Sequence, residues 1–330
     1  MNPYKYGFKI PKIMDNVPAI EAVGLTKTYG SFTAISDINL TVKKGEFMGL
    51  LGPNGSGKSP TLKAITGLLK PTSGTVRIAG IDIKDHRRAM EHVGTVIETP
   101  EPYPNFTPAE IMDYIGRVYG MDSREIAIRS RDALETVKMW EWRNSKIGGF
   151  SKGMRQRVII AQALIHNPDT IILDEPTSGL DPRGMIEIRQ ALANLKNRDR
   201  SLLISTHILK EVSEICGSVT MIRDGRAVAS GEVSELIHGT NENTITLEVH
   251  TLKDIPAELT RDLSSCPGVL SVESMGRKFV KIGFSGSSEE QSYVTDTVFR
   301  SGAGVLSMNE KGADLESLYM HLTEEGNNEN

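Results

Sequence analysis

Short runs of alternating apolar and polar residues fill the first part of the chain. Ala19–Val23, then Ala34-Ile35 with Ile38, Leu40 and Val42, then Glu46–Leu51 predict strands, and Lys43-Lys44-Gly45-Glu46 is the turn between the last two. Gly74–Ala79 predicts another strand. Residues 108–144 carry helical spacing, with Ile111, Tyr114, Ile115 and Val118 followed by Ala133, Leu134 and Val137. Residues 155–166 predict an apolar helix, and the unbroken apolar runs Thr170–Leu173 and Ser201–Ser205 predict buried strands. Strands that alternate with helices make an α/β domain with a largely parallel sheet.

The pattern changes near residue 240, where Gly239–Asn243 is a polar break. Beyond it the order is strand (244–250), helix (256–265), strand (269–275), strand (278–285), helix (289–301) and strand (304–309), a β-α-β-β-α-β, ferredoxin-like succession. A last helix, Leu315–Leu322, runs into a polar tail. The expected organisation is an N-terminal extension over 1–18, a first domain over 19–238 and an accessory α+β domain over 243–325. Met1–Pro18 lacks the apolar core of a signal peptide and reads as an extended leader.

Composition narrows the classes. The 330 residues, 38% hydrophobic and 24% charged, suit two soluble globular domains. A net charge of −4 offers no electrostatic case for nucleic acid, and Arg87-Arg88 and the arginines of 124–131 read as solvated helix faces. Cys216 and Cys266 lie far apart, which suits a reducing compartment and suggests neither a disulfide framework nor a metal site. No apolar run approaches the ~18 residues of a membrane span.

The chemistry begins at Gly52-Pro53-Asn54-Gly55-Ser56-Gly57-Lys58-Ser59, a complete G-x-x-x-x-G-K-[ST] phosphate loop between an apolar strand and the helical run Thr61–Leu69. Its glycines let backbone N–H groups converge on one anion, Lys58 adds charge for the β- and γ-phosphates, and the Ser59 hydroxyl is a ligand for Mg²⁺. The strand Thr170–Leu173 ends in Asp174-Glu175. There Asp174 can hold Mg²⁺ and Glu175 can orient and polarise an attacking water. Alone, that pair is also what an ordinary strand with an acidic turn presents. Gly149–Arg157 places Ser151 and Gly153 just before a helix, where hydroxyl and N–H can meet an anion or simply cap the helix.

With these three segments the chain resembles the ATP-binding cassette (ABC) family. Ser151-Lys152-Gly153-Met154 stands where that family has its Leu-Ser-Gly-Gly-Gln signature. Asp174–Asp181 resembles the hydrolytic carboxylates running into the D-loop at Asp181, Ser205-Thr206-His207 the switch histidine segment, and Tyr29 the aromatic that stacks on adenine. The ordered set spans residues 19–235, about two-thirds of the chain. The resemblance implies a P-loop cassette with a β-subdomain, a RecA-like core and a helical subdomain at about 100–150. It also implies bound ATP and Mg²⁺, and a site made of Tyr29, Gly52–Thr61, Ser151, Gly153 and Asp181, with Glu175 and His207 catalytic and Ser59, Glu98 and Asp174 on the metal.

The family works as head-to-tail pairs, each nucleotide lying between one phosphate loop and the partner's signature serine. One loop and one signature per chain therefore imply a second ATPase subunit, expectedly an identical copy, and a separate transmembrane permease. That would place the chain in the cytoplasm, peripheral to the inner face of the membrane. Three departures stand out: Pro60 where the family usually has Thr, Glu98 where it usually has Gln, and Lys152 and Met154 within the signature. Pro60 removes one N–H from the phosphate site, and Thr61 keeps a hydroxyl near it. The Ser-Lys-Gly-Met variant, the Pro-rich stretch after Glu98 and the C-terminal appendage resemble ABC-2-type drug exporters, notably bacitracin- and lantibiotic-resistance ATPases. The appendage itself reads as a dimerisation or regulatory module. A soluble repair- or translation-type ABC ATPase and a binding-only cassette are the competing classes. The first usually carries two cassettes or long insertions; Glu175 and His207 speak against the second, while Pro60 and Glu98 keep it open.

Overall fold

The computed structural model describes residues 17–98, 103–196, 200–238 and 244–312. Two compact units divide the chain between Glu232 and Val233.

The first unit opens with β1 (Ile20–Tyr29), β2 (Phe32–Val42), β3 (Phe47–Leu51) and α1 (Lys58–Ile65). It continues through β4 (Ser73–Ile78), β5 (Ile81–Asp82), α2 (His86–Met90), β6 (Val93–Val96), α3 (Pro108–Val118), α4 (Ser123–Thr136) and α5 (Lys152–Leu164). Then come β7 (Thr170–Asp174), α6 (Pro182–Lys196), β8 (Ser201–Thr206), α7 (Leu209–Ile215), β9 (Ser218–Arg223) and β10 (Arg226–Glu232). An antiparallel sheet has the order β2-β1-β4-β5, and a second sheet has the order β10-β9-β3-β8-β7-β6. In the second sheet β9, β3, β8, β7 and β6 run parallel, and only β10 is antiparallel. A parallel sheet directs the carboxyl ends of its strands to one edge, where ligand sites of open α/β sheets form.

The buried runs explain the sheet. All five residues of β3 and all six of β8 are buried, as strands covered on both faces must be. Ile20, Leu25, Ile35 and Ile38 of the antiparallel sheet share one core with Leu62 and Ile65 of α1, Ile172 of β7 and Leu203 of β8. That shared core anchors the helix that follows the phosphate loop. The strand expected over residues 34–42 is β2, and it is continuous: Asp37 adopts a left-handed φ of 53° and its N–H donates to the Thr26 hydroxyl, so the strand bends without breaking.

The helical segment divides into α3 and α4. Thr107 and Glu110 form a reciprocal capping box at the start of α3, with Pro108 at its first position. The buried face of α3 is Ile111, Met112 and Gly116, whereas Tyr114 and Val118 of the apolar stripe face solvent.

The second unit comprises α8 (Val233–His238), β11 (Thr244–Thr251), α9 (Ala257–Ser264), β12 (Val269–Ser274), β13 (Phe279–Ser285), α10 (Ser288–Arg300) and β14 (Val305–Gly312). Its sheet order is β12-β13-β11-β14, antiparallel throughout, the ferredoxin-like arrangement expected from the element succession. Val280, Ile282 and Phe284 alternate inward from β13 onto Leu259, Leu263, Val294 and Val298 of the two helices. The expected helix Leu315–Leu322 and the break at 239–243 lie outside the described residues, as do residues 1–16.

One buried histidine gives the first unit a pH dependence. His166, just after α5, meets the Val93 carbonyl through Nε2 at 3.1 Å and stacks on Tyr119 at 4.4 Å between ring centroids. Its Nδ1 is buried without a partner among the described residues. Burial first, and then the charge of Arg200, push its pKa down to about 4, against the raising effect of the bond to Val93. The folded chain therefore holds a neutral ring that the unfolded chain protonates below about 6.5. Stability contributed by this ring is complete above about 6.5 and is lost as pH falls toward about 4. Denaturant unfolding should show a loss on the order of 2 kcal/mol from this source between about pH 7.5 and 5. That part should vanish in His166→Phe; equal acid slopes in the two chains would remove His166 as its cause.

Candidate functional site

The segment after β3 turns back on itself before α1 starts. Gly57, the residue preceding α1, has φ of +106°, and a Cβ there would lie 2.9 Å from the Ala34 carbonyl oxygen and 3.3 Å from the Gly225 Cα. Gly52 is equally closed: a Cβ would sit 2.2 Å from the Ile222 carbonyl oxygen. These two glycines seat the loop against β2 and β9, and the Gly225 N–H donates to the Ser56 carbonyl at 2.9 Å.

The first intrahelical bond of α1 runs from the Thr61 N–H to the Gly57 carbonyl, at 3.0 Å. Donors of the preceding first-turn residues have no helical partner and make an anion site. Pro60 stands third in the helix, so it removes one of those outward donors and no helix bond. The Thr61 hydroxyl is fully buried and donates to the Gly57 carbonyl at 2.8 Å. An open cleft of about 220 Å³ lies over the loop, lined by Phe32, Ala34, Asn54, Gly55, Gly57, Lys58, Ser59, Pro60 and Glu175.

Lys58 is only 4% exposed. Its ammonium donates to the carbonyls of Gly52 (2.9 Å) and Pro53 (3.0 Å) and pairs with Glu175 Oε1 at 3.2 Å. A buried charge needs such company, and three partners match its three protons. The other Glu175 oxygen, Oε2, faces His207 Nδ1 at 3.3 Å. Glu175 thus stands between the phosphate-loop lysine and the histidine that follows β8.

The backbone at Glu175 is strained, with φ of 42°, a region a non-glycine residue holds only when its surroundings impose it. Ser205 on the neighbouring strand imposes it. Its carbonyl and hydroxyl both accept the Glu175 N–H, at 3.1 and 3.0 Å, and its hydroxyl also donates to Asp174 Oδ1. Parallel pairing of β7 with β8 places Asp174 opposite Ser205.

The remaining expected residues lie outside the cleft lining. Ser151 caps α5, accepting from the Met154 N–H at 3.2 Å, and Gly153 is buried in its first turn. Asp181 accepts from the Gly184 N–H at 3.1 Å at the start of α6. Glu98 has a left-handed φ of 54°, is 72% exposed at its side chain and pairs with Lys63 of α1. Tyr29 is exposed at the end of β1, with Lys27 Nζ 4.9 Å from its ring centroid. The aromatic that does line the cleft is Phe32, cross-strand partner of Tyr29 and 66% exposed. Phe32 belongs to no motif in the sequence, and Ser205 enters there only as the end of an apolar strand and the start of the histidine segment. Phe32 gains its place from the β1–β2 register, and Ser205 from strand pairing across 30 residues.

Ser205→Ala removes the hydroxyl from both Asp174 and the Glu175 N–H. Urea unfolding should register a loss of about 1–3 kcal/mol, and ATP turnover should fall while ATP affinity holds. Unchanged turnover would mean that Glu175 keeps its backbone conformation without this serine.

Known proteins extend the picture. The family model "ABC transporter" matches residues 35–178. The ABC transporter ATP-binding protein NatA of Bacillus subtilis (strain 168) is 40% identical over 62% of this chain and 83% of its own length. The linearmycin resistance ATP-binding protein LnrL of the same organism is 32% identical over 92% of this chain and 98% of its own. A solved dimeric ATP-binding cassette, MJ0796, bound to ADP and Pi, superposes with a TM-score of 0.57 at 29% identity, covering 64% of this chain and 98% of that one. Because the likeness to LnrL runs through both units and not only over the phosphate loop, this chain belongs to the ABC transporter ATP-binding proteins and, as they do, binds and hydrolyses ATP.

Proposed function

We propose that this chain is the ATP-hydrolysing subunit of an exporter, acting through a separate transmembrane permease at the inner face of the cell membrane. The observation that carries the hydrolytic part is the position of Glu175, at the cleft and in contact with both Lys58 and His207. Phosphate oxygens entering the cleft compete with Glu175 for Lys58, which frees the carboxylate to orient and polarise a water. His207, beside it, is placed to contact the terminal phosphate.

Mg²⁺ suits the residues present. It is a hard cation that takes one or two protein oxygens and keeps water and phosphate as its other ligands. Ser59 at the cleft and Asp174 at the end of β7 supply a hydroxyl and a carboxylate. Glu98 joins them only by leaving Lys63. When bound, the ion neutralises charge on the phosphates.

Ser151, Gly153 and Asp181 are not among the residues lining this chain's own cleft, which is compatible with a site completed by a second copy. The dimeric MJ0796 cassette supports the same reading. ATP then joins two subunits and hydrolysis releases them. The names of NatA and LnrL favour a transporter subunit over a soluble repair-type ATPase, and LnrL favours resistance by export. Permease contact is assigned to the helical segment, where Tyr103, Phe106, Tyr114 and Val118 are exposed apolar residues. Among the described residues no helix is long and apolar enough to cross a membrane. The cassette is assigned to residues 19–238 and the accessory module to 243–325, with a dimerising or regulatory role for the latter.

Two experiments test the reading. Glu175→Gln keeps the shape of the carboxylate and removes its charge, so Mg²⁺-dependent turnover should fall by about 10²-fold or more while ATP still binds; full turnover in the variant would sink the assignment of Glu175. Pro60→Thr restores an N–H to the phosphate site, and a nucleotide titration should show affinity rising about tenfold, the worth of one hydrogen bond to a charged group. Equal affinities would show that Pro60 costs nothing.

A further inference from the structure

Behind the cleft lies a carboxylate that the hydrolytic reading does not use. Glu211, in the first turn of α7, is 1% exposed. Its Oε2 accepts the Thr206 hydroxyl at 2.6 Å, and its Oε1 accepts the Thr177 hydroxyl. Thr177 is itself 1% and Thr206 2% exposed. Thr206 immediately precedes His207, and Thr177 stands two residues after Glu175. The Thr206 hydroxyl also accepts the Ile208 N–H at 3.0 Å, so it holds the backbone on both sides of His207.

A buried carboxylate is costly and persists where its oxygens are satisfied. Here the two oxygens reach two different strand ends. One arm fixes the turn after β7 that carries Glu175, and the other fixes the turn after β8 that carries His207. Neither of these two hydrogen bonds goes to Glu175 or His207.

We infer that Glu211 is a positioning residue for hydrolysis, setting the separation of Glu175 and His207 by clamping Thr177 and Thr206 together. The inference rests on the roles proposed above for Glu175 and His207. It requires that loss of the clamp slows chemistry without weakening nucleotide binding, because neither threonine lines the cleft. It also requires that Gln, which offers one acceptor and one donor to the two hydroxyls, recovers much of what Ala loses.

The test uses the full-length chain with Mg²⁺ and ATP, and it also reads the His207 ring by NMR on histidine-labelled protein without nucleotide. Glu211→Ala should lower kcat by roughly tenfold to a hundredfold, with KM and nucleotide affinity within about twofold of the parent. Glu211→Gln should recover most of that loss. In a His207→Ala background, Glu211→Ala should add little further loss. The His207 ring resonance should move in Glu211→Ala, as it does in a Glu175→Ala control. Thr206→Val, which removes one arm of the clamp, should reproduce the kcat and resonance changes in milder form, and it carries the test if Glu211→Ala does not fold.

The inference is overturned by unchanged kcat, by a matching loss of affinity and turnover, by an equal loss in the His207→Ala background, or by a ring resonance that Glu175→Ala moves and Glu211→Ala and Thr206→Val do not. Failure of the hydrolytic reading itself looks different: the parent chain and Glu175→Gln would then turn over ATP alike.

Discussion

The Lys58–Glu175 contact is the constraint around which the site is arranged. A lysine with 4% exposure cannot keep its charge without partners, and an ion pair at 3.2 Å is worth ~5 kcal/mol of attraction at an effective dielectric near 20, before desolvation is subtracted. The two carbonyls of Gly52 and Pro53 offset the rest of that desolvation and tie the ammonium to its own loop. Lysine and glutamate follow different strands of the parallel sheet, Lys58 opening α1 after β3 and Glu175 standing just past the end of β7. The pair therefore exists only when β3 and β7 stand at their fixed places on either side of β8.

That dependence explains why the strands are so thoroughly buried. β3 and β8 have no exposed residue, and the side chains beneath them pack against α1 and the antiparallel sheet in one core. Close packing leaves little room for either strand to slide. Polar bonds then transmit the register to the strand ends, where Ser205 holds Asp174 and Glu175, and Glu211 holds Thr177 and Thr206. Left-handed backbone at Glu175 is tolerated because these neighbours over-determine it.

The second unit has a simpler logic. One face of its antiparallel sheet is covered by α9 and α10, and the period-two alternation of β13 shows it directly. The same alternation makes the β-α-β-β-α-β order readable from sequence, since each strand has one wet face. In the first unit the buried strands lack alternation. They are recognisable only as apolar runs bounded by turns, and β6, β9, β10 and α6 were not singled out at all.

The phosphate loop, the carboxylate pair and the histidine after β8 were legible because each is a contiguous motif whose chemistry follows from residue type and spacing. Helix starts were legible for the same reason: Ser151 caps α5 through a bond three residues away. By itself, then, the sequence determined the family of chemistry and the local conformations that depend on neighbours in the chain. Only the tertiary structure decided that Phe32 lines the cleft while Tyr29 lies outside its lining, that Glu98 pairs with Lys63, and that Ser205 and Glu211 brace the catalytic turns. Those facts depend on contacts between residues far apart in the chain, as Glu175 with Ser205 and Thr177 with Glu211, or on which side of a strand faces the cleft. Sheet register and the packing of helices against the sheet set them, and both follow from burial across the whole core rather than from any single segment.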